Sequence, residues 1–377
     1  MRLIGNPEAW ATWRAMASAC LIARVRVPPA CSVSARGRMA AAMKTIIGPA
    51  LPNGIAVLAL ALLSVCAAPR AWPLDGGRIV FGGQTADLAL SVYVTAPKGA
   101  GFEELTAHGP DAYDPTWSHD GRAIAFSYSP QGLAYRIYLM DADGGNLRRI
   151  SDAPAPYGDK GPTWSPRDDA VAFTSYRDGA GRQGVYVANV IGGEDVRLSD
   201  PDAFAWEPSW RSSGNAIAYS GNREGFLDPD LDLHIMDRQG RHLSQLTDGA
   251  PALNPDWHPR RNTIAFESWD DDHDADIYTT EADGSDERRL TKHPSFDSEP
   301  RWSPDGTELL FESTRDGPPA LFVMGLDGRI RRRVTAARFI HIDGADWFDP
   351  DFPRSVSTLG RHATTWGWIR HLGTRRR

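Results

Sequence analysis

The sequence predicts an all-β chain folded as a six-bladed β-propeller of four-stranded blades, with seven blades as the alternative. Three observations predict it. The first is a pairing of Trp with an aromatic nine positions later, seen at Trp72/Phe81, Trp117/Phe126, Trp164/Phe173, Trp210/Tyr219, Trp257/Phe266 and Trp302/Phe311. Trp347 supplies a seventh start, and successive Trp residues stand 45, 47, 46, 47, 45 and 45 positions apart. A period of this length with strand-like content marks propeller blades. The second is composition: 36 Gly, 28 Pro and 13 Trp in 377 residues favour many short strands joined by tight turns. The third is that β-branched and aromatic residues bunch in runs of four to six, bounded by Gly, Pro and Asp.

Each repeat supplies the elements in order. In residues 257 to 291, PDWHP leads into TIAFES, then DIYTT, the turn EADG and finally RRLT. A second aromatic follows the first at Tyr93, Tyr138, Tyr186, Tyr278 and Phe322, with His234 in the same place in the fourth copy. The turn DADGG at Asp141, and its relatives at 237, 281 and 327, put Gly where a two-residue hairpin needs φ > 0. Each unit closes on Leu105-Thr106, Ile150-Ser151, Leu198-Ser199, Leu246-Thr247, Leu290-Thr291 or Val334-Thr335. A four-stranded sheet cannot cover both its faces, so the repeated Trp and Phe are expected in the core between stacked blades. The tail is expected to lie against the first blade and seal the ring, through Trp347 and the strand candidates RSVST and TTWGWI.

Ahead of the repeat, Lys44 and the apolar run Ile55 to Val65 have the order of a secretory signal peptide. Eleven apolar residues fall short of the roughly 20 that span a bilayer. The expected division is therefore 1–42 as an upstream leader or over-extended start, 43–67 as signal peptide cut after Ala67, and 68–377 as the propeller with its closing strands. Lipidation at Cys66 is the less favoured variant. Cys20, Cys31 and Cys66 all precede the cut, which excludes a disulfide framework, a thiolate nucleophile and a Cys-based zinc site in the mature chain. The chain carries 41 Lys+Arg against 48 Asp+Glu, and removing 1–67 takes away seven of the first and one of the second, leaving 34 against 47. An acidic, exported, periplasmic or secreted protein follows. Nucleic acid is excluded as a partner, no transmembrane segment remains after leader removal, and a monomer is expected.

Two groups of residues are candidates for function. The position three before each Trp, occupied by Asp114, Gly161, Glu207, Asn254, Glu299 and Gly344, is expected to face the axis at one mouth of the central channel. Asp114, Glu207, Asn254 and Glu299 would form a binding site there, or else cap loop N–H groups. The acidic loops carry Asp228, Asp230 and Asp232, then Asp270, Asp272, Asp274 and Asp276, at the same within-blade connection of consecutive units. Alternate carboxylates in a loop can converge on a hard cation such as calcium, the one cofactor considered, or remain solvated. No catalytic residue is assigned. No Ser has Gly at both offsets of G-x-S-x-G, and the G-x-G-x-x-G match at Gly179, Gly181 and Gly184 joins two strands and opens no helix.

WSPDGTELLFESTRDG at 302, WSHDGRAIAFSYS at 117, IYLMDADGGNLRRIS at 137 and EPSW at 207 resemble the repeat of the TolB-like β-propeller family of bacterial periplasmic and exported proteins. The likeness covers roughly 72 to 347. It implies a six-bladed propeller serving as a protein- or ligand-binding scaffold of the cell envelope, with an envelope protein or peptide as partner. The repeat does not specify function, since enzymes carry it too. The alternative is a propeller enzyme, a glycan lyase or hydrolase, using channel-mouth carboxylates and a divalent cation.

Overall fold

In a computed structural model, the described residues run from 77 to 352, apart from 87–89, 100, 107–110, 131, 133, 155, 180–182, 223–230, 270–273 and 337. Among them every regular element is a strand, and the strands make six four-stranded antiparallel sheets. Blade 2 holds β4 (Ala112–Trp117), β5 (Ala123–Tyr128), β6 (Arg136–Asp141) and β7 (Arg148–Arg149). Blade 3 holds β8 (Asp159–Trp164), β9 (Ala170–Ser175), β10 (Gly184–Asn189) and β11 (Val196–Arg197). Blade 4 is β12 (Phe204–Trp210), β13 (Ala216–Asn222), β14 (Asp232–Asp237) and β15 (His242–Gln245). Blade 5 is β16 (Ala252–Trp257), β17 (Thr263–Trp269), β18 (Ala275–Glu281) and β19 (Arg288–Arg289). Blade 6 is β20 (Asp297–Trp302), β21 (Glu308–Ser313), β22 (Ala320–Gly325) and β23 (Ile330–Arg333).

Blade 1 is built from both ends of the described chain. Its inner strand is β24 (Phe339–Phe348), which pairs with β1 (Arg78–Thr85), followed by β2 (Ser91–Thr95) and β3 (Phe102–Glu104). Trp347 lies opposite Ile79, as Trp302 lies opposite Leu309 and Trp117 opposite Ile124. The late Trp therefore takes the place that the repeat count gave to Trp72, which is outside the described residues, as are RSVST and TTWGWI. The count is six. Successive inner strands touch, β24 meets both β20 and β4, and the ring closes.

The six predicted Trp positions that the structure describes are buried, with exposures of 1–7%. They pack between blades: Trp210 lies with Val185 and Val187 of blade 3 and Ile217 of its own blade, and Trp302 with Ala265 and Ile277 of blade 5 and Leu309 of its own. The paired aromatics are cross-strand neighbours, such as Phe81 stacked on Tyr93 at 5.7 Å, and His234 stacks on Tyr219 at 5.4 Å. The closing Thr or Ser has one job in all six blades. Its hydroxyl accepts the N–H of Val92, Ile137, Val185, Leu233, Ile277 or Leu321 at 2.8–3.1 Å, tying the outer edge of a blade to its third strand.

The DADGG turn encloses three residues, not the two expected, because the Asp141 N–H donates to the Gly145 carbonyl. Gly144 takes φ = +81°, and the equivalent Gly240 takes φ = +74°. A Cβ on Gly240 would stand 1.9 Å from the carbonyl oxygen of Leu198 in the blade before. These turns and the WSPDG turns lie at one end of the ring. The connections between second and third strands, and those between blades, lie at the other.

Candidate functional site

Every inner strand breaks register at the same place. The ladder skips between Tyr113 and Thr116, Lys160 and Thr163, Trp206 and Ser209, Leu253 and Asp256, and Ser298 and Arg301, and β24 is irregular at Gly344. The bulged residues are the six predicted from sequence. Asp114, Gly161, Glu207, Asn254, Glu299 and Gly344 all have φ between +49° and +60°. Gly and Asn adopt this conformation readily, whereas Glu rarely does, so Glu207 and Glu299 are strained choices that call for a use of their side chains.

One use is visible. A bulge leaves its N–H outside the strand ladder, and the neighbouring blade supplies the acceptor. Asp114 Oδ2 accepts from the Gly161 N–H at 3.1 Å, and Thr174 Oγ1 from Glu207 at 2.9 Å. Glu207 Oε2 accepts from Asn254 at 2.8 Å, and Glu267 Oε2 from Glu299 at 2.9 Å. Glu299 Oε2 accepts from Gly344 at 2.8 Å, and Asp343 Oδ1 from Asp114 at 3.4 Å. The six bonds form a circle of blade-to-blade links around the axis. Capping of N–H groups, the structural role foreseen for these positions, is thus present alongside their exposure to the channel.

The bulges line a cavity of about 220 Å³ that contains all four predicted mouth residues, Asp114, Glu207, Asn254 and Glu299. On one side of it Lys160 holds its Nζ 5.0 Å from the Tyr113 ring and 4.6 Å from the Tyr135 ring, and Tyr176 and Trp206 continue that wall. The remaining wall is acidic. Burial, reinforced by Glu267, pushes the Glu207 carboxyl up to about 8, and burial with Asp114 nearby pushes Glu299 to about 7. Burial next to Glu299 and Glu267 raises Glu312 to about 9, and burial with Asp114 beside it holds Asp343 well above the usual carboxylate range. Arg301 is buried among them. Its burial alone would lower it, but Asp256, Glu299 and Asp346 more than reverse that.

Sequence reasoning missed other residues of this wall and two acids packed behind it. Glu267 and Glu312 stand ten positions after their Trp, where blades 2, 3 and 4 have Ser127, Thr174 and Ser220. A charged residue in the otherwise apolar TIAFES and ELLFES runs was the available signal. Asp343 stands four before Trp347, and Asp256, Arg301 and Asp346 stand directly before a Trp.

The acidic-loop candidates fare differently. Asp228, Asp230, Asp270 and Asp272 lie outside the described residues, and Asp274 stands just ahead of β18. Asp232 is buried and accepts from Thr247 Oγ1 at 2.9 Å and Gln245 Nε2 at 2.7 Å. Asp276 is buried, accepts from Thr291 Oγ1 at 2.7 Å and is paired with Arg289. Both belong to the closing of their blades. Among the described residues no group of three or more His, Cys, Asp and Glu is arranged to hold a metal ion. Among the described residues no helix is long and apolar enough to cross a membrane.

The model of the TolB beta propeller domain matches residues 115–274 and 251–347, together more than half of the chain. The chain belongs to the TolB beta propeller domain family. Within it, a TolB homolog of Chlorobium luteolum is 28% identical over 162 residues, covering 41% of this chain and 34% of that one. An uncharacterized peptidase of Bacillus subtilis, YuxL, is 27% identical over 166 residues, or 35% of this chain and 25% of that one. The matched TolB-type repeats thus span about a third and a quarter of these two relatives. The solved structure of TolB from Acinetobacter baumannii superposes with a TM-score of 0.61 at 18% identity, over 72% of this chain and 66% of that one, which places the fold.

Proposed function

We propose that this TolB-type propeller is an exported binding scaffold of the cell envelope whose channel mouth receives a cationic segment of another envelope protein. The observation that carries the reading is the excess of acid at the mouth. A bulge N–H needs only an acceptor, as Thr174 demonstrates, yet Asp114, Glu207, Glu267, Glu299 and Asp343 supply it with carboxyls. Carboxyl groups crowded in a cavity cost stability, and a partner bearing Lys or Arg would relieve that cost on docking. Tyr176 and Trp206 at the rim are the residue types that anchor protein contacts. The sequence order of residues 43–67 supports export, with a mature start near Ala68.

The test is affinity capture from an envelope fraction with wild type and with the triple variant Asp114→Asn, Glu207→Gln, Glu299→Gln. These changes keep an acceptor for each neighbouring N–H while removing the ionisable group. The expected result is at least tenfold weaker retention of the captured partner at a melting temperature equal to or above that of wild type; equal retention overturns the reading. The competing enzymatic reading draws on Glu207, a carboxyl that holds its proton near neutrality in a cavity, as a general acid must. Turnover of a glycan by wild type and its loss in Glu207→Gln would favour it.

A further inference from the structure

We infer that the channel mouth is a proton-held closure: the carboxyls that link blades 4, 5, 6, 1 and 2 stay packed because several of them carry a proton, and removing those protons loosens these seams. The inference does not depend on what the mouth binds.

The geometry states the case first. The Asp114 N–H donates to Asp343 Oδ1 at 3.4 Å, which sets these two acids side by side across the seam between blades 1 and 2. Burial, with the Asp114 carboxyl close by, favours the protonated form of Asp343. Glu267 Oε2 takes both the Glu299 N–H at 2.9 Å and the Asn254 amide at 3.2 Å, which places blade 5 and blade 6 acids on one short circuit. The carboxyl of Glu312, on the second strand of blade 6, makes no hydrogen bond or ion pair among the described residues, and it is raised by burial and by the negative charge of Glu299 and Glu267. Against this group stand Arg301 and Lys160, and beside Asp343 the imidazole of His341, its Nε2 3.8 Å from Asp343 Oδ2. Arg301 is shared with Asp256 and Asp346 as well as Glu299 and Glu207, and Lys160 sits over Tyr113 and Tyr135 on the far wall. Burial keeps Tyr113, Tyr135 and Tyr176 neutral beyond their ordinary range, so they do not compensate.

The sign follows. Backbone N–H donors favour the ionised forms of Glu207, Glu267 and Glu299, yet the carboxyls of this wall still hold their protons more tightly than in water. Desolvation and mutual repulsion therefore outweigh the caps. A raised folded value means stability that is complete below the unfolded value, near 4.5, and that is lost as pH rises through the folded one. The losses finish near pH 7 for Glu299, 8 for Glu207 and 9 for Glu312. His258, lowered by burial, acts in the opposite direction only below about pH 7.

The experiment is urea unfolding of the purified protein from pH 6 to pH 9.5, with hydrogen exchange at the seams. The expected result is a midpoint that falls with pH, corresponding near pH 7.5 to about two more protons bound by the folded than by the unfolded chain. Glu312→Gln, which removes no bond, should halve that slope and raise the midpoint above wild type increasingly up to pH 9. Glu299→Gln should remove the component ending near pH 7. Exchange of the Asn254, Glu299 and Gly344 amides should quicken with pH beyond the intrinsic rate, while that of Glu207, capped by the Thr174 hydroxyl, should not. A midpoint that is flat or rises from pH 7 to 9.5, or a slope unchanged in Glu312→Gln, overturns the inference. Should Glu299→Gln fail to fold, Glu312→Gln decides alone.

Discussion

The seam between blades 3 and 4 and the seam between blades 5 and 6 solve one backbone problem with different chemistry. In the first, the Glu207 N–H donates to the Thr174 hydroxyl at 2.9 Å; in the second, the Glu299 N–H donates to the Glu267 carboxyl at the same distance. Both acceptors are buried, and both seams are packed by a Trp at the end of the inner strand. A neutral hydroxyl serves the fold without electrostatic cost. The carboxyl serves it while adding a buried acid beside Glu299 and Glu207, so the charge is surplus to the fold and belongs to the mouth.

The comparison is sharpened most by the Trp residues. Trp210→Ala and Trp302→Ala should each cost about 3–5 kcal/mol in urea unfolding, the range for buried aromatics. Trp302 should stand at the upper end. Its Nε1 donates to the Asp256 carbonyl at 3.1 Å, a bond lost with the ring, whereas Trp210 Nε1 is buried without a hydrogen-bond partner among the described residues. Equal costs would mean that the two seams are mechanically alike.

Removing the caps gives the next effect. Thr174→Val leaves the Glu207 N–H without its acceptor and should cost about 1–2 kcal/mol at any pH between 6 and 9. Glu267→Ala leaves two donors unpaired, which should cost about 2–3 kcal/mol near pH 5 and less as pH rises, because a buried acid goes with the cap. A pH-independent cost at Glu267 would break the distinction between the seams. Glu207→Gln isolates charge from cap. Its advantage over wild type should be absent near pH 4, grow by at most about 1.4 kcal/mol per pH unit and level off near pH 8. At the opposite end of the ring, Arg122 and Asp120 are exposed and 3.7 Å apart, and Arg122→Ala should stay within about 0.5 kcal/mol of wild type.

Much of this was legible in the sequence. The spacing from Trp to aromatic fixes strand pairs, because a residue and its cross-strand partner keep a constant offset across a short turn. The Pro that follows Asp114, Glu207, Asn254 and Glu299 marked a break in each inner strand. What stayed hidden depends on closure. Closure of the tail on the first blade through Trp347 was foreseen, but that Trp347 rather than Trp72 stands opposite Ile79 depends on the pairing of β24 with β1, which no local pattern encodes. Asp232 and Asp276 read as loop acids because they adjoin runs of acid, yet they lie on strands and bond their own closing Thr. Glu267 and Glu312 were obscured by their apolar neighbours, although a charge inside such a strand is the stronger sign of a designated place.

The central claim, that the surplus acid of the mouth is there to receive positive charge, is tested most directly by equilibrium binding of a fluorescent hexa-arginine peptide at low salt. Wild type is compared with the Asp114→Asn, Glu207→Gln, Glu299→Gln variant at a temperature where both are folded. The account predicts binding at least tenfold weaker in the variant and unaffected by changes in the Asp141–Gly145 turn. Unchanged affinity in the triple variant, with loss on altering that turn, would contradict it.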